Sequence, residues 1–158
     1  QHTGNYPGVT VESALGSLRV GDVELQAIDL PGSYSLAPRA PDEMVALRVL
    51  LGDGAEVPPP DLILCVVDAS HLDRNLYLLT QLLELGRPLV VALTMVDVAR
   101  RQGVEVDIAA LRRALGVAVV PVHATKRIGL DDLGAELVRA AQSGRPPAVA
   151  IPLPEALT

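Results

Sequence analysis

The chain of 158 residues carries a net charge of −6 and is 49% hydrophobic, with no Phe, no Trp and three Tyr. This length fits one domain, whose core must consist mainly of Leu, Val and Ala. The acidic balance without a basic cluster argues against a nucleic-acid-binding surface and against docking to an anionic membrane. No apolar run reaches the roughly 18 residues that a membrane span requires.

The first third of the chain predicts a loop, a strand and a helix. Segment 5–12 (Asn-Tyr-Pro-Gly-Val-Thr-Val-Glu) is typical of a loop that enters a strand, and its Thr10 offers a hydroxyl to Mg²⁺. Alternating apolar residues predict a strand at 23–28, and helical spacing predicts a helix at 41–51. Segment 29–32 (Asp-Leu-Pro-Gly) follows the strand, where ligands bind in open α/β sheets. Alone, this motif is more typical of an ordinary turn.

The middle of the chain begins with a continuous apolar run at 62–67, which predicts a strand buried on both faces. Cys65, the single cysteine, lies in this run as a small buried hydrophobe, and it has no partner for an internal disulfide. We expect Asp68 and Ser70 to stabilise the turn into a helix at 73–85. His71 in that turn is predicted to be a solvated loop residue and not a metal ligand.

A second continuous apolar run predicts a strand at 89–93, followed by segment 94–97 (Thr-Met-Val-Asp). The carboxylate of Asp97 can accept two hydrogen bonds from the N1 and N2 edge of guanine. Adenine lacks those donors and would leave the carboxylate unpaired. The alternative is that Asp97 merely caps the following segment.

The last third predicts a helix at 107–115 that begins with an N-cap and ends before Gly116, and a further helix at 130–141. Between them, residues 117–122 predict a strand that Pro121 weakens toward a sheet edge. Segment 123–125 (His-Ala-Thr) follows it, where a backbone N–H would contact the guanine O6. Strands that alternate with helices of this length indicate an α/β fold with a mostly parallel sheet.

These linked segments, in this order, resemble the ferrous iron transport protein B family. Residues 4–12 resemble its first switch region, residues 29–36 its second switch, and residues 67–85 its next strand and helix, so that the similarity runs from about Gly4 to about Leu137. The resemblance implies a P-loop NTPase-like, small-GTPase fold, a three-layer sandwich with a mostly parallel sheet. It also implies a partial G domain over 1–147 and an exit segment over 148–158.

The resemblance implies binding of GTP or GDP with Mg²⁺, and K⁺ as a further candidate cation. Mg²⁺ would be held by Thr10 and, through water, by Asp29. The implied function is a nucleotide-dependent switch that regulates Fe²⁺ uptake through the transporter's own membrane domain, at the cytoplasmic face of the bacterial inner membrane. The nucleotide-binding residues expected on this basis are Gly8, Val9, Thr10, Asp29, Leu30, Pro31, Gly32, Thr94, Met95, Val96, Asp97, His123, Ala124 and Thr125.

One departure from the family is the lack of any Gly-x-x-x-x-Gly-Lys-[Ser/Thr] motif, and the only lysine is Lys126. That loop supplies most of the phosphate binding in such proteins. Its strand is normally central in the family's sheet, so we expect a gap there. We favour a longer protein in which a unit on the order of 30 residues precedes Gln1. The alternatives are a chain naturally without the loop, two strands that close up, or a partner segment that fills the slot.

A second departure is Thr94, which stands where the family's base-recognition motif begins with Asn. We expect a nucleotide affinity weaker by about 1–2 kcal/mol, with the guanine preference retained through Asp97. Ser33 occupies the place of the water-orienting Gln of many small GTPases, so any hydrolysis should be slow in the intact protein and impaired without the P-loop. The alternatives are a degenerate, non-catalytic interaction module and a translation- or tRNA-linked GTPase, which would need a basic RNA-binding domain.

Overall fold

A computed structural model describes residues 2–5, 12–30, 36, 41–53 and 59–144. The chain divides into two compact units, Gln1–Asp61 and Leu62–Thr158. The expected exit segment at 148–158 lies outside the described residues. None of the helices that the structure describes is both long and apolar enough to cross a bilayer.

The first unit contains an antiparallel sheet of three strands in the order β1 (His2–Asn5), β2 (Glu12–Val20) and β3 (Val23–Asp29). The strand predicted at 23–28 is β3, and β2 is the strand that the loop at 5–12 was expected to enter, although its length was not predicted; β1 was not predicted. In β2 the apolar side chains do not alternate, because Gly and Ser interrupt the period of two that marks a half-buried strand. Helix α1 (Pro41–Leu51) begins and ends where its spacing predicts.

The second unit contains a parallel sheet of three strands in the order β4 (Ile63–Asp68), β5 (Leu89–Thr94) and β6 (Ala118–Pro121). This confirms the α/β fold with parallel strands. Because the strands are parallel, their carboxyl ends all lie at one edge of the sheet. The described strands form two separate sheets, and the expected gap in the sheet stays a prediction.

The central strand of this sheet is more fully buried than the edge strand β4. Every residue of β5 from Leu89 to Leu93 is buried, as a continuous apolar run predicts. The same prediction for β4 was wrong: its residues alternate, and Leu64 and Val66 remain 42% and 62% exposed. The physical reason is that only the row of Ile63, Cys65 and Val67 packs into the core, so the row of Leu64 and Val66 on the opposite face stays exposed.

Among its described residues the second unit has four α-helices, which are α2 (Leu72–Glu84), α3 (Val96–Arg101), α4 (Ile108–Leu115) and α5 (Leu130–Ser143), besides a short 3-10 helix at Ala69–His71. Helix α2 packs on β4, α4 on β6, and α5 on both β5 and β6. The predicted N-cap of α4 is confirmed, since Asp107 accepts a hydrogen bond of 2.9 Å from the Ala110 N–H. Helix α3 was not predicted, because six residues are too few to show a helical period.

The burial of Cys65 and the edge position of β6 agree with the sequence predictions, and Arg112 adds a contact that was not predicted. Cys65 is 6% exposed in β4, which confirms it as a small buried hydrophobe, and this burial raises the pKa of its thiol to about 11. Strand β6 lies at an edge of its sheet, as Pro121 predicts. Arg112 of α4 reaches this edge, where its Nε donates to the Val119 carbonyl oxygen over 2.9 Å.

Candidate functional site

The loops that follow β5 and β6 leave the sheet side by side. Leu93 of β5 is the register partner of Pro121 of β6, and the Val122 N–H donates to the Leu93 carbonyl oxygen over 2.9 Å. The segments 94–97 and 123–125, which the sequence assigned to one base site, therefore start from adjacent strand ends.

A left-handed residue turns the chain from β5 into α3. Met95 has φ 58° and ψ 27°, a conformation that costs a non-glycine residue about 1–2 kcal/mol. It is the N-cap of α3 without a side-chain capping bond, and Asp97 comes two residues later in the first turn. The alternative role of Asp97 as a cap is thus not observed, and its carboxylate is free to face the neighbouring loop.

The Asp97 side chain is 47% exposed and faces two basic groups. Its Oδ2 lies 3.6 Å from Nη2 of Arg101, one helical turn later, and 3.8 Å from Nε2 of His123 in the loop after β6. Both distances exceed those of hydrogen bonds, and ion pairs with this exposure stabilise a fold only slightly. The carboxylate therefore remains accessible to a ligand.

The loop after β6 is held at both of its ends. His123 and Ile128 exchange backbone hydrogen bonds of 2.9 and 3.2 Å, and the Arg127 N–H donates to the Ala124 carbonyl oxygen over 3.1 Å. Within the part of the chain that the structure describes, the N–H groups of Ala124 and Thr125 have no acceptor. They are available to a ligand carbonyl such as the guanine O6.

A glycine lets this loop pass close to the strand that precedes it. Gly129 has φ 78° and is the N-cap of α5. A Cβ at this position would overlap the carbonyl oxygen of Pro121 and would also lie 3.2 Å from its carbonyl carbon. Only glycine fits both the positive φ and the close approach, so Gly129 fixes the position of the base-site loop.

A shallow pocket of about 240 Å³ lies between the two loops. This volume is below the roughly 300–1,000 Å³ of sites that enclose a drug-sized ligand, so it suits one ring system of a larger molecule. Its lining combines apolar side chains with three polar groups, which are a carboxylate, a guanidinium and an imidazole. The lining residues are Val96, Asp97, Arg100, Pro121, Val122, His123 and Ile128.

Thr94 lies at the end of β5 and is not among the residues that line this pocket. Its hydroxyl donates to the Val67 carbonyl oxygen of β4 over 3.1 Å. The one proton of this side chain is therefore used between two strands, and its role toward a nucleotide stays a prediction.

The turn after β4 contains Asp68, Ser70 and His71 in mutual contact. The Ser70 N–H and hydroxyl donate to Asp68 Oδ1 over 2.8 and 2.6 Å, and His71 Nδ1 lies 3.3 Å from Asp68 Oδ2. This confirms the turn-stabilising role of Asp68 and Ser70. The Ser70 hydroxyl also meets His71 at Nδ1, at 3.0 Å, whereas a catalytic triad needs serine and aspartate on opposite ring nitrogens.

Hydrogen bonding in this turn also affects the acidity of Asp68. The Ser70 hydroxyl holds the pKa of Asp68 below its ordinary value of 3.8, against the opposing effect of partial burial, and the Ser70 N–H and His71 add to the lowering. The His71 side chain is 64% exposed, as a solvated residue should be. No group of three or more possible metal ligands occurs within the described ranges.

The structure describes only some of the residues that the sequence predicts near the nucleotide phosphates and Mg²⁺. Asp29 ends β3 with an exposed side chain, and Leu30 is half-buried. Gly8, Val9, Thr10, Pro31 and Gly32, like Ser33, lie outside the described residues. The magnesium site at Thr10 and Asp29 stays a prediction.

Sequence reasoning missed two groups of this site. Arg101 stands four residues after Asp97, a spacing that pairs opposite charges on a helix, but α3 itself was not predicted. Arg100 lines the pocket from the same helix. Neither has a motif signature, because an isolated arginine pair on a short helix is typical of any solvated surface.

Comparison with known proteins decides the family. A family model described as Ferrous iron transport protein B matches residues 1–137. The chain belongs to this family. It is 41% identical over 150 residues to the Fe(2+) transporter FeoB of Legionella pneumophila (strain Paris), a match that covers 92% of the chain and 19% of that relative. The chain thus spans about a fifth of the length of this curated relative.

Two solved structures show the fold that family members adopt. The G domain of FeoB from Methanococcus jannaschii is 37% identical with a TM-score of 0.74, over 81% of this chain and 79% of that one. The cytosolic domain of the Thermotoga maritima FeoB iron transporter in its GMPPNP form is 33% identical with a TM-score of 0.83, over 94% and 57%. The chain therefore has the P-loop NTPase-like α/β fold of FeoB G domains.

Proposed function

We propose that the loops after β5 and β6 bind the base of a guanine nucleotide, in a G domain that regulates Fe²⁺ uptake in a longer transporter. One observation carries this proposal. The Asp97 carboxylate and the imidazole of His123 line one pocket of about 240 Å³, and the unpaired N–H groups of Ala124 and Thr125 belong to the same loop as His123. A carboxylate acceptor and backbone donors are the two polar functions that the guanine edge requires.

The chemistry of guanine suits each of these groups. Asp97 accepts from the ring N1–H and the 2-amino group, while a backbone N–H of the loop donates to O6. Adenine has neither the N1–H nor the 6-oxygen, so it would leave the carboxylate and the N–H unpaired. Once a base covers these groups, each one left unpaired would cost about 1–3 kcal/mol, so adenine is rejected for its missing hydrogen bonds and not for its shape. The apolar side chains of Val122 and Ile128 offer surface to the ring faces.

The nucleotide of one relative supports this assignment, since GMPPNP is a guanine nucleotide and the Thermotoga maritima domain was solved with it. We extend the proposal to Mg²⁺, which the Thr10 hydroxyl would hold directly and the exposed Asp29 carboxylate at the end of β3 through water, and to K⁺ as a second cation. Carboxylate and hydroxyl oxygens are the ligands that hard cations prefer. Mg²⁺ bound there would neutralise charge on the phosphates.

The remaining features of the proposal follow from the family. Residues 1–147 form a partial G domain that hydrolyses GTP slowly in the parent protein once a phosphate-binding loop is present. Residues 148–158 lead toward a helical or membrane part. The partner is the transporter's own membrane domain, and the site of action is the cytoplasmic face of the bacterial inner membrane.

A second function, a degenerate G domain that acts by contact alone, is favoured by two observations. The sequence carries no Gly-x-x-x-x-Gly-Lys-[Ser/Thr] motif. The Thr94 hydroxyl, which replaces the family's asparagine, donates to Val67 rather than toward the pocket. This function predicts that no nucleotide binds.

Equilibrium binding of fluorescent GDP and ADP analogues to the full-length protein separates the two functions. We expect GDP to bind at least tenfold more tightly than ADP. Asp97→Asn should weaken the binding of GDP and strengthen the binding of xanthosine diphosphate. The reason is that the asparagine amide can donate to the 2-oxygen that xanthine carries in place of the amino group. Glu105→Gln is the control, since it removes an exposed acid away from the pocket. No binding of either nucleotide would favour the contact module, whereas equal affinities for GDP and ADP would contradict the proposed contacts to the guanine base.

A further inference from the structure

Helix α3, which carries Asp97, is too short to be stable by itself. It has six residues, and its N-cap Met95 makes no side-chain capping bond. An isolated helix of this length does not persist in water, because the ordering of its first turn outweighs its few hydrogen bonds. The position of the Asp97 carboxylate therefore depends on what α3 packs against.

The main packing partner of α3 among the described helices and strands is the short 3-10 helix at Ala69–His71. Each of these two elements has a buried alanine, since Ala69 is 1% exposed and Ala99 is 0% exposed. Small buried side chains allow close packing, and a close-packed interior transmits a shift of one element to its neighbour. The short helix is therefore the support that fixes α3.

Side-chain hydrogen bonds hold this short helix at both of its ends. Its N-cap Asp68 accepts bonds of 2.8 and 2.6 Å from the N–H and the hydroxyl of Ser70. At the other end, the Asn75 amide of α2 donates to the His71 carbonyl oxygen over 2.8 Å. The short helix is thus anchored on β4 through Asp68 and on α2 through Asn75.

We infer that Asp68 and Ser70 are positioning residues for the base site, because they hold the short helix on which α3 and Asp97 rest. Neither residue is among those that line the pocket, so both act through α3. Without the Ser70 hydroxyl the short helix loosens, α3 shifts, and the hydrogen bonds from guanine to Asp97 lose their alignment. Such bonds weaken steeply as their angle departs from linear. The inference rests on the proposed function, because it concerns the alignment of Asp97 with the guanine edge.

The test is the ratio of the Kd values of inosine diphosphate (IDP) and GDP, measured by competition with a fluorescent GDP analogue on the full-length protein. Hypoxanthine differs from guanine only in lacking the 2-amino group, so the ratio isolates one hydrogen bond to Asp97. Phosphate binding and the folded fraction affect both nucleotides alike and cancel. We expect Ser70→Ala to lower the ratio by about three- to tenfold, a large part of one hydrogen bond. Asp68→Ala should lower it further, because it also leaves the Ser70 N–H unpaired.

Hydrogen exchange followed by mass spectrometry tests the packing step without a nucleotide. The Ala99 N–H donates to the Met95 carbonyl oxygen and the Val104 N–H to the Ala99 carbonyl oxygen, both over 2.9 Å. In Ser70→Ala, a peptide over residues 95–104 should exchange faster than in wild type, whereas a peptide over α4 should not change. Unchanged exchange of the α3 peptide would contradict the inference.

Two further variants make the result specific. Ser70→Thr keeps the hydroxyl and should keep the wild-type ratio. Asp107→Ala is the matched control, since it removes a comparable bond of 2.9 Å to the Ala110 N–H at the start of α4, and it too should keep that ratio. An unchanged ratio in Ser70→Ala, or an equal fall in Asp107→Ala, would overturn the inference and leave the proposed function intact. Equal affinities of the wild type for IDP and GDP, or no GDP binding, would instead overturn the proposed function, and the inference with it.

Discussion

The hydroxyl of Thr94 at the end of β5 donates a hydrogen bond of 3.1 Å to the carbonyl oxygen of Val67 in β4. Thr94 and Asp68 are register partners at the ends of these two strands, and the Thr94 side chain is partly buried. The bond therefore ties together the strand ends that carry the Asp68 turn and the Asp97 turn. A side chain with a single proton cannot make this tie and donate to a base at the same time.

The first prediction concerns Thr94→Asn. An amide has two N–H groups, so it can keep the bond to Val67 and offer the second donor to the nucleotide or the neighbouring loop. We expect GDP affinity to rise by about 1–2 kcal/mol, roughly 5- to 30-fold. Thr94→Val is the matched control: it should lower the free energy of unfolding by about 1 kcal/mol and leave GDP affinity unchanged. Titration calorimetry and urea unfolding measure the two effects, and equal affinities in Thr94→Asn and wild type would contradict the prediction.

The second prediction concerns Gly129→Ala. The new Cβ would meet the Pro121 carbonyl oxygen in addition to the cost of a positive φ, so the loop after β6 must move. Gly103→Ala is the matched control, because Gly103 has φ 80° and nothing within 4 Å of its added Cβ. We expect Gly103→Ala to cost about 1–2 kcal/mol of stability and Gly129→Ala clearly more, with loss of GDP binding. Similar unfolding midpoints for the two variants would show that Pro121 does not constrain the loop.

The third prediction concerns the pH dependence of Asp68. A carboxyl group whose pKa is lowered by folding stabilises the protein above its unfolded pKa, and the stabilisation is lost as the pH falls through the folded pKa. For Asp68 that loss lies below pH 3.8. Asp68→Asn should be less stable than wild type by under about 1 kcal/mol at pH 7, since the side chain is 38% exposed, and the difference should vanish in acid.

Thermal unfolding of both proteins between pH 2.5 and 7 checks this prediction. Ser70→Ala removes the hydroxyl that contributes most to the lowered pKa of Asp68, so it should remove a large part of the pH dependence of the stability. A stability difference between Asp68→Asn and wild type that stayed the same across this range would assign the effect to packing instead.

The fourth prediction concerns the thiol of Cys65. The thiolate is the reactive form, and burial raises the pKa of this thiol to about 11, so the native protein should react very slowly with an aromatic disulfide reagent at pH 8. The rate of this reaction should rise with the urea concentration as β4 unfolds and exposes the thiol. Val66→Cys in a Cys65→Ala background is the control, since position 66 is 62% exposed and one residue away. Comparable native rates at the two positions would refute the buried state.

The spacing of apolar residues in the sequence was enough to predict some of the helices and strands. The run Leu89–Leu93 predicted a fully buried strand, because a strand buried on both faces has apolar residues at every position. The spacing in α1 predicted both ends of that helix, although Met44 and Leu51 of its apolar side are exposed. The same reasoning failed for β2, whose side chains at 15–19 are exposed and leave no apolar period. It also failed for β4, where a continuous apolar run does not reveal that one row lacks a covering layer.

The base site was predictable in its order along the chain but not in its geometry. The positions of Asp97 and His123 after successive strands predicted that they meet, since parallel strands end at one edge. No sequence signal could show that Arg101 and His123 lie near the same Asp97 carboxylate, because that depends on side-chain rotamers. The fit of Gly129 against Pro121 is likewise a distance between segments that only the folded chain defines.

Strand β4 has a consequence for the colloidal behaviour of the protein. Among the described strands it is an edge, and the outward side chains of Leu64 and Val66 lie beside its unpaired backbone groups. An apolar edge of this kind is a template on which further strands can assemble, and natural sheets often guard such positions with lysine. We therefore expect the strand that carries the buried thiol on one face to promote, through its other face, the aggregation of this chain at high concentration.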